Sequence, residues 1–351
     1  MSQKVSFLGG LLALFIGCVV TVLMAEGVVR VVNPHWRDFY SGNFIEAHSV
    51  PEQGVVAIGK PGFSGYFAQN NGDFRVKIDI NAFGLRNAEP IEKAHNRTWI
   101  IGDSMAFGWG VEHNEMYSSV ASARSGMPTY NVASPGTNIC GYQALTARMP
   151  KSVRPKAIVM GLILENDLRV YDCKENKKVK KAQSSSGFVR FLDVKHYLTG
   201  KSALYNFFTV SLKRVDVIVT ILQKLGIVAG DHSYKMTFNY TDWAKILETS
   251  IVEMRHLRAM LPADVPFAVL IAPSRFEIRD SDAKYTKVRQ DVAAALRDSG
   301  IDVLDPIDAF KTIGFERLHF AHDGHWSPIG HKIAGQLIAE WMIANVPAGS
   351  Q

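Results

Sequence analysis

The residue types able to do chemistry in this 351-residue chain gather at the ends of short apolar runs. Trp99-Ile100-Ile101 leads into Gly102-Asp103-Ser104 and then a glycine-rich segment, Gly108-Trp109-Gly110. An apolar run of this length bounded by turn residues reads as a buried strand. A serine just past the end of such a strand stands in the crevice where open α/β sheets bind ligands. Its hydroxyl is a weak nucleophile until a base takes the proton, and the base needs a third group to hold its tautomer. His325 and Asp323, within His322-Asp323-Gly324-His325-Trp326-Ser327-Pro328, are the types required. Gly324 allows the sharp local turn that a two-residue separation demands. Taken singly, each residue has a plainer role. Gly-Asp-Ser is good turn chemistry, and His319, His322, His325 and His331 suit a polar loop. Asp323 could cap the next helix, although Ser327 is the better N-cap and Pro328 the natural first helical residue.

Two more strand-like runs end in residues of interest. Tyr130-Asn131-Val132-Ala133-Ser134-Pro135-Gly136 runs into a Pro-Gly turn, where Gly136 suits the turn itself. The stretch from Ala157 to Leu164 ends in Glu165-Asn166-Asp167. In this order the four stretches resemble the sequence blocks of the SGNH (GDSL-like) hydrolase and acyltransferase family, over about Arg97 to Ala344. The resemblance implies a parallel-sheet α/β domain of three layers, flavodoxin-like. It implies Ser104 as nucleophile, His325 as base and Asp323 as its orienter. It also implies an oxyanion hole made of the Ser104 N–H, the Gly136 N–H and the Asn166 side chain. Asp103 and Asp167 are supporting residues with no assigned chemistry. Many members place the aspartate three residues before the histidine, where this chain has His322; the two-residue spacing followed by Trp326 resembles polysaccharide-acetylating members instead.

The function so implied is a serine-dependent esterase acting on acyl, above all O-acetyl, esters of an envelope or exported polysaccharide. Its substrate is an acylated carbohydrate or a small ester. Two alternatives stand beside it: a polysaccharide O-acetyltransferase using the same site, and a non-catalytic envelope assembly or carbohydrate-binding protein that keeps the fold. No cofactor is expected. No Cys/His spacing suits a metal, no phosphate loop occurs, and no basic-aromatic stripe points to nucleic acid.

The elements that must position these residues follow from periodicity. From Arg97 onward strands alternate with helical stretches, the pattern of a sheet covered on both faces. Phe267–Ala272 and Ile301–Asp305 read as further strands, Lys287–Asp298 as a helix, and Ile329–Ile343 as the closing helix. About a hundred residues separate the third strand from the fourth, too many for a structureless loop. Apolar faces recur over 210–222 and 243–257. The first half, Tyr171 to Asn206, reads as an insertion that overhangs the site as a cap, packs structurally, or touches a membrane surface. Residues 31–96 read as a strand-rich lead segment, with Phe74–Ile80 alternating like a half-exposed strand. Membrane-anchored members of the family carry a similar asparagine-to-Gly-hydrophobic-Arg stretch, here Asn81 to Arg86. The expected organisation is an anchor over 1–30, the lead segment over 31–96, and a catalytic domain over 97–345 with an insertion at about 171–240.

Val5 to Met24 is free of charge for 20 residues, enough to cross a hydrocarbon core of about 30 Å as a helix. Leu23-Met24-Ala25 meets only half of a small-residue cleavage signature, which favours a retained single-pass anchor over a cleaved signal. Lys4 before the helix and Arg30 and Arg37 after it leave orientation undecided by charge; the family resemblance implies an extracytoplasmic domain, periplasmic in a bacterium. The net charge is +6, part of it in Lys174, Lys177, Lys178, Lys180 and Lys181, which read as a solvated loop. Cys18 lies in the apolar run, while Cys140 and Cys173 are expected on loops at one sheet edge, where an oxidising compartment would let them pair.

Overall fold

In the computed structural model the described residues are 7–69, 72–173, 187–211, 221, 224 and 242–347. The lysine-rich stretch, and most of the periodic stretch at 210–222, lie outside them. Nine strands are present among the described residues: β1 (Ile45–Val50), β2 (Gly54–Gly59), β3 (Ser64–Ala68), β4 (Arg75–Asp79), β5 (Thr98–Ile101), β6 (Thr129–Asn131), β7 (Ala157–Ile163), β8 (Phe267–Ala272) and β9 (Asp302–Leu304). The helices used below are α1 (Phe7–Val32), α2 (Ser104–Phe107), α3 (Tyr117–Ser125), α4 (Ile139–Arg148), α5 (Gly187–Lys201), α6 (Ala203–Asn206), α7 (Trp243–Ala259), α8 (Arg275–Asp280), α9 (Ala283–Asp298), α10 (Ile307–Ile313), α11 (Phe315–Leu318) and α12 (Pro328–Asn345).

The chain divides into two compact units. The first comprises Met1–Asn43, Gln69–Asn71 and Ser186–Gly230; it contains α1, of which Gly9–Val32 is long and apolar enough to cross a membrane, a test that a signal sequence also passes. The second comprises Phe44–Ala68, Gly72–Ser185 and Asp231–Gln351. Most of the expected lead segment, from Phe44 on, therefore belongs to the same unit as Ser104, Asp323 and His325.

The second unit is built on a five-stranded parallel sheet in the order β6-β5-β7-β8-β9. In chain order this is 2-1-3-4-5, the flavodoxin-like order, whose ligand crevice lies at the switch point between the first and third strands. Strand residues alternate between two cores, as the pleat requires. Trp99, Ile101, Ile158, Met160, Phe267 and Val269 face α4, α7 and α9. Ile100, Val159, Ala268 and Leu270 face α2, α3, α10 and α12. Strands buried on both faces explain why the sequence reads as continuous apolar runs there. Two antiparallel hairpins, β1-β2 and β3-β4, complete the unit; the alternation of Phe74–Ile80 becomes β4, with Val76 and Ile78 buried and Arg75 and Lys77 exposed. The closing helix begins as its sequence predicts: the Ser327 side chain accepts from the Ile329 N–H, and Pro328 is the first helical residue. Cys140 sits in the first turn of α4 and not on a loop, because the Asn138 side chain caps that helix one residue before Ile139.

Candidate active site

Ser104, Asn166 and Gly136 all lie beyond the C-terminal ends of neighbouring strands. Ser104 follows β5 and opens α2; the Asp103 side chain caps that short helix by accepting the Met105 N–H at 2.9 Å. Gly102 is required by close approach, since a Cβ there would sit 2.6 Å from the Ala106 Cβ. β6 extends its pairing toward the serine through Val132 N–H to Ile100 O (2.7 Å) and Ser134 N–H to Gly102 O (3.1 Å). Gly136 follows with φ +71°, a left-handed conformation that favours glycine, and lies exposed at the crevice. Asn166 closes the turn after β7, and its Nδ2 donates to Asp103 Oδ2 at 3.2 Å.

The segment between α11 and α12 brings the histidine across from 221 residues away in sequence: His325 Nε2 lies 2.8 Å from Ser104 Oγ. The other ring nitrogen, Nδ1, contacts Asp323 Oδ1, and the same oxygen accepts the His325 backbone N–H at 3.0 Å. The two-residue separation is therefore closed by a local turn at Gly324, where any side chain would collide with the Arg275 guanidinium. His322 points elsewhere. Its backbone N–H and its Nδ1 both meet Asp73, at 2.9 and 2.8 Å.

One cavity of about 150 Å³ is lined by Ser104, Gly136, Asn166 and His325 together with Met105, Ile163, Ala272 and Pro273. The backbone N–H groups of Ser104 and Gly136 have no protein acceptor among the described residues. Ser104, Gly136 and Asn166, the residues expected to bind an oxyanion, thus line one cavity together.

Several residues that sequence reasoning passed over complete the site. Trp109 stacks on the His325 ring at 5.4 Å between centroids and 25° between planes. Its loop is held by Arg86, a fully buried guanidinium that donates to the carbonyls of Phe107 (3.3 Å), Gly108 and Val111 (2.8 Å), and to Lys77 O (3.0 Å). The Asn81–Arg86 stretch thus has a physical role. Asn81 Oδ1 accepts the Phe83 and Leu85 N–H groups, each at 3.0 Å, and the turn brings Arg86 to the end of α2. Arg275, at the start of α8, pairs with Glu165 at 3.1 Å on the cavity wall; Glu165 also accepts from the Ser274 hydroxyl and the Arg275 N–H, each at 2.8 Å. Glu165 stands next to Asn166 in the sequence, but nothing there joins it to Arg275.

The acidic residues beside the serine are buried. Burial pushes the Asp103 carboxyl up to about 6, against the lowering effect of the Met105 N–H and the nearby His325. Asp167 is raised well above the carboxylate range, by burial first and by the Asp103 charge second. It accepts from the Tyr142 hydroxyl (2.8 Å) and the Ile163 N–H (2.9 Å), which fixes the turn that presents Asn166. His319 and His331 are buried too, and burial pulls them down to about 4 and about 3. His331 accepts the Tyr117 N–H at 3.2 Å, a structural task. A disulfide joins Cys140 to Cys173, with Cα atoms 5.3 Å apart. It links the start of α4, just after Gly136, to the segment after Asn166.

No protein-family model and no curated protein matches the chain. Among solved structures it is similar to a carbohydrate esterase family 2 enzyme with a carbohydrate-binding domain from Corynascus thermopiles, at 14% identity over 74% of this chain and 68% of that one, TM-score 0.39. It is also similar to a lipolytic protein of the G-D-S-L family from Veillonella parvula, at 10% identity over 70% of this chain and 96% of that one, TM-score 0.39. A lipase from a goat rumen metagenome gives 10% identity over the same shares, TM-score 0.38. At such identities and TM-scores these neighbours lend nothing to the choice of reaction, which rests on the serine, histidine and aspartate themselves.

Proposed function

We propose that the protein is a serine-dependent ester hydrolase of the SGNH type, acting on O-acetyl esters of an envelope or exported polysaccharide. The observation that carries this reading is the continuous contact from Ser104 Oγ to His325 Nε2, at 2.8 Å, and from His325 Nδ1 to Asp323. In the first half-reaction Ser104 Oγ attacks the ester carbonyl and its proton passes to His325 Nε2. Asp323 stabilises the imidazolium so formed. The carbonyl oxygen, now negative, takes hydrogen bonds from the Ser104 and Gly136 N–H groups and the Asn166 amide. His325 then returns the proton to the departing sugar oxygen, leaving an acyl-serine. Water, activated by the same imidazole, releases the acid.

A small acyl group suits the cavity. Its volume of about 150 Å³ falls below the ~300–1,000 Å³ of pockets that bury drug-sized ligands. Met105, Ile163, Ala272 and Pro273 give it an apolar side for a methyl group. Transfer to a sugar hydroxyl in place of water is the second reading, favoured by the two-residue Asp323–His325 spacing followed by Trp326. We further read α1 as a retained single-pass anchor with the catalytic residues outside the cytoplasm. The Cys140–Cys173 disulfide supports that side, since such bonds persist in oxidising compartments.

The test is turnover of a chromogenic acetyl ester by the full chain in detergent, with and without a polysaccharide acceptor. Release of acetate that is lost in Ser104→Ala, together with labelling by a serine-directed phosphonate, is expected. Acetyl appearing on the acceptor would select the transferase reading. Labelling that survives Ser104→Ala would move the nucleophile elsewhere.

A further inference from the structure

The described C-terminal part of helix α5 presents apolar side chains to solvent. Val194, Tyr197, Leu198 and Lys201 fall at i, i+3, i+4 and i+7, so they share one face. That face is exposed: Val194 to 56%, Tyr197 to 65% and Leu198 to 36%. On the same helix Thr199 is buried, with its carbonyl accepting from Asn206 Nδ2 at 3.0 Å, and the exposed His196 ring stacks on Tyr40. Phe208, just beyond α6, is 55% exposed.

The end of α5 is tied to α1 at a particular height. The uncharged stretch of α1 ends at Ala25. At the next residue the Glu26 carboxylate accepts the Ala203 and Leu204 N–H groups at 2.8 and 2.9 Å and the Ser202 hydroxyl at 2.8 Å. Arg30 pairs with Glu26 at 2.7 Å and donates to the Lys201 carbonyl at 3.0 Å. The α5–α6 junction is therefore fixed where the apolar helix gives way to charge, which for a spanning helix is the membrane–water boundary. Trp36 lies under the Arg30 and Arg37 guanidiniums, at 5.3 and 5.0 Å, at the same end. Aromatic rings with polar tips and cations near anionic headgroups are the side chains this layer favours.

We propose that the Val194–Tyr197–Leu198 face of α5, with Phe208, is a lipid-docking surface that lies in the headgroup layer of the bilayer crossed by α1. The proposal rests on the reading of α1 as a retained anchor. It gives the first unit two attachments to one lipid surface, a spanning helix and a helix lying beside its exit. The exposed apolar side chains then meet acyl chains and headgroups, while Lys195, Lys201, Arg30 and Arg37 meet phosphates.

The test uses the full chain in vesicles of phosphatidylethanolamine and phosphatidylglycerol. Cys18, the free cysteine on α1, carries an environment-sensitive fluorophore as reporter of the anchor. In a Cys18→Ser background, Tyr197→Cys carries the same label; Tyr197 is exposed, so its replacement leaves the packing intact. Expected are a blue shift of the residue-197 label, loss of its fluorescence with nitroxide-bearing lipids, and none with aqueous iodide. Iodide quenching at 197 with lipid quenching at 18 overturns the docking surface and leaves the anchor standing. Protection at 197 from both quenchers assigns the face to a protein partner and also overturns it. Absence of lipid quenching at 18 removes the anchor reading and the docking surface with it.

Discussion

Replacing Asp323 by asparagine separates charge from orientation in an unusual way here. One carboxylate oxygen, Oδ1, accepts both the His325 backbone N–H, at 3.0 Å, and the ring Nδ1–H. An asparagine oxygen can keep both bonds, so the ring stays aimed with Nε2 toward Ser104. Only the negative charge is lost, and it matters once His325 has taken the serine proton. Two unit charges ~4 Å apart in an effective dielectric of ~20 attract by about 4 kcal/mol, which corresponds to roughly 10³ in rate. The side chains of His325 and Asp323 are 16% and 13% exposed, and that access of water weakens the attraction. Asp323→Asn should therefore lower kcat/KM for a chromogenic acetyl ester by ~10²–10³. Asp323→Ala, which also frees the ring to rotate, should lower it further. Full-chain protein in detergent at pH 8 serves for both. A loss under about tenfold for the asparagine variant would refute the electrostatic role worked out here. Equal losses in the two variants would refute the separation of charge from orientation.

Removing the amide donor by Asn166→Ala should cost ~10²–10³ in kcat with little change in KM, read on the same ester; an unchanged kcat would take Asn166 out of the oxyanion hole. Acid should weaken the fold through two buried imidazoles. His331 and His319 have folded values of about 3 and about 4, below the unfolded ~6.5, so the unfolded chain binds more protons between those limits. The stability they contribute is complete above ~6.5 and falls with pH, by about 2 kcal/mol each between pH 8 and pH 5. Asp103 works in the opposite sense, since its folded value of about 6 lies above the unfolded one, and protonation there returns about 1 kcal/mol over the same interval. Denaturant titrations at the two pH values should show a change in stability that differs by about 2 kcal/mol between the unchanged chain and His331→Gln; an identical change in that variant would show that His331 is not held neutral. Thiol counting on the unfolded chain should find one reactive thiol, Cys18, before reduction and all three cysteines after it. Closing a loop of 33 residues stabilises by about 3–4 kcal/mol in the loop-entropy account, so Cys140→Ser with Cys173→Ser should lower the unfolding free energy by that much.

The sequence by itself determined that strands alternate with helices and that Ser104, Gly136 and Asn166 follow the ends of three strands. The three central strands, β5, β7 and β8, are read from apolar runs because a strand buried on both faces must be apolar throughout, a property written in consecutive residues. The cap at Ser327 and the apolar length of α1 are local in the same sense. The meeting of Ser104 with His325 was legible only through resemblance to known blocks, since 221 residues separate them and no local period records a contact of that kind. Tertiary structure alone decided the rest. Arg86 reaches the carbonyls at 107–111 because the Asn81 turn brings it to the end of α2. Trp109 covers His325, and His322 turns away to Asp73, because the β3–β4 hairpin and the 319–326 segment pack on the same side. The insertion at Tyr171 to Asn206 was readable as an insertion, but where its side chains lie was not. Only the packing shows Thr199 buried while Val194, Tyr197 and Leu198 stay exposed, because burial depends on neighbours that no local period records.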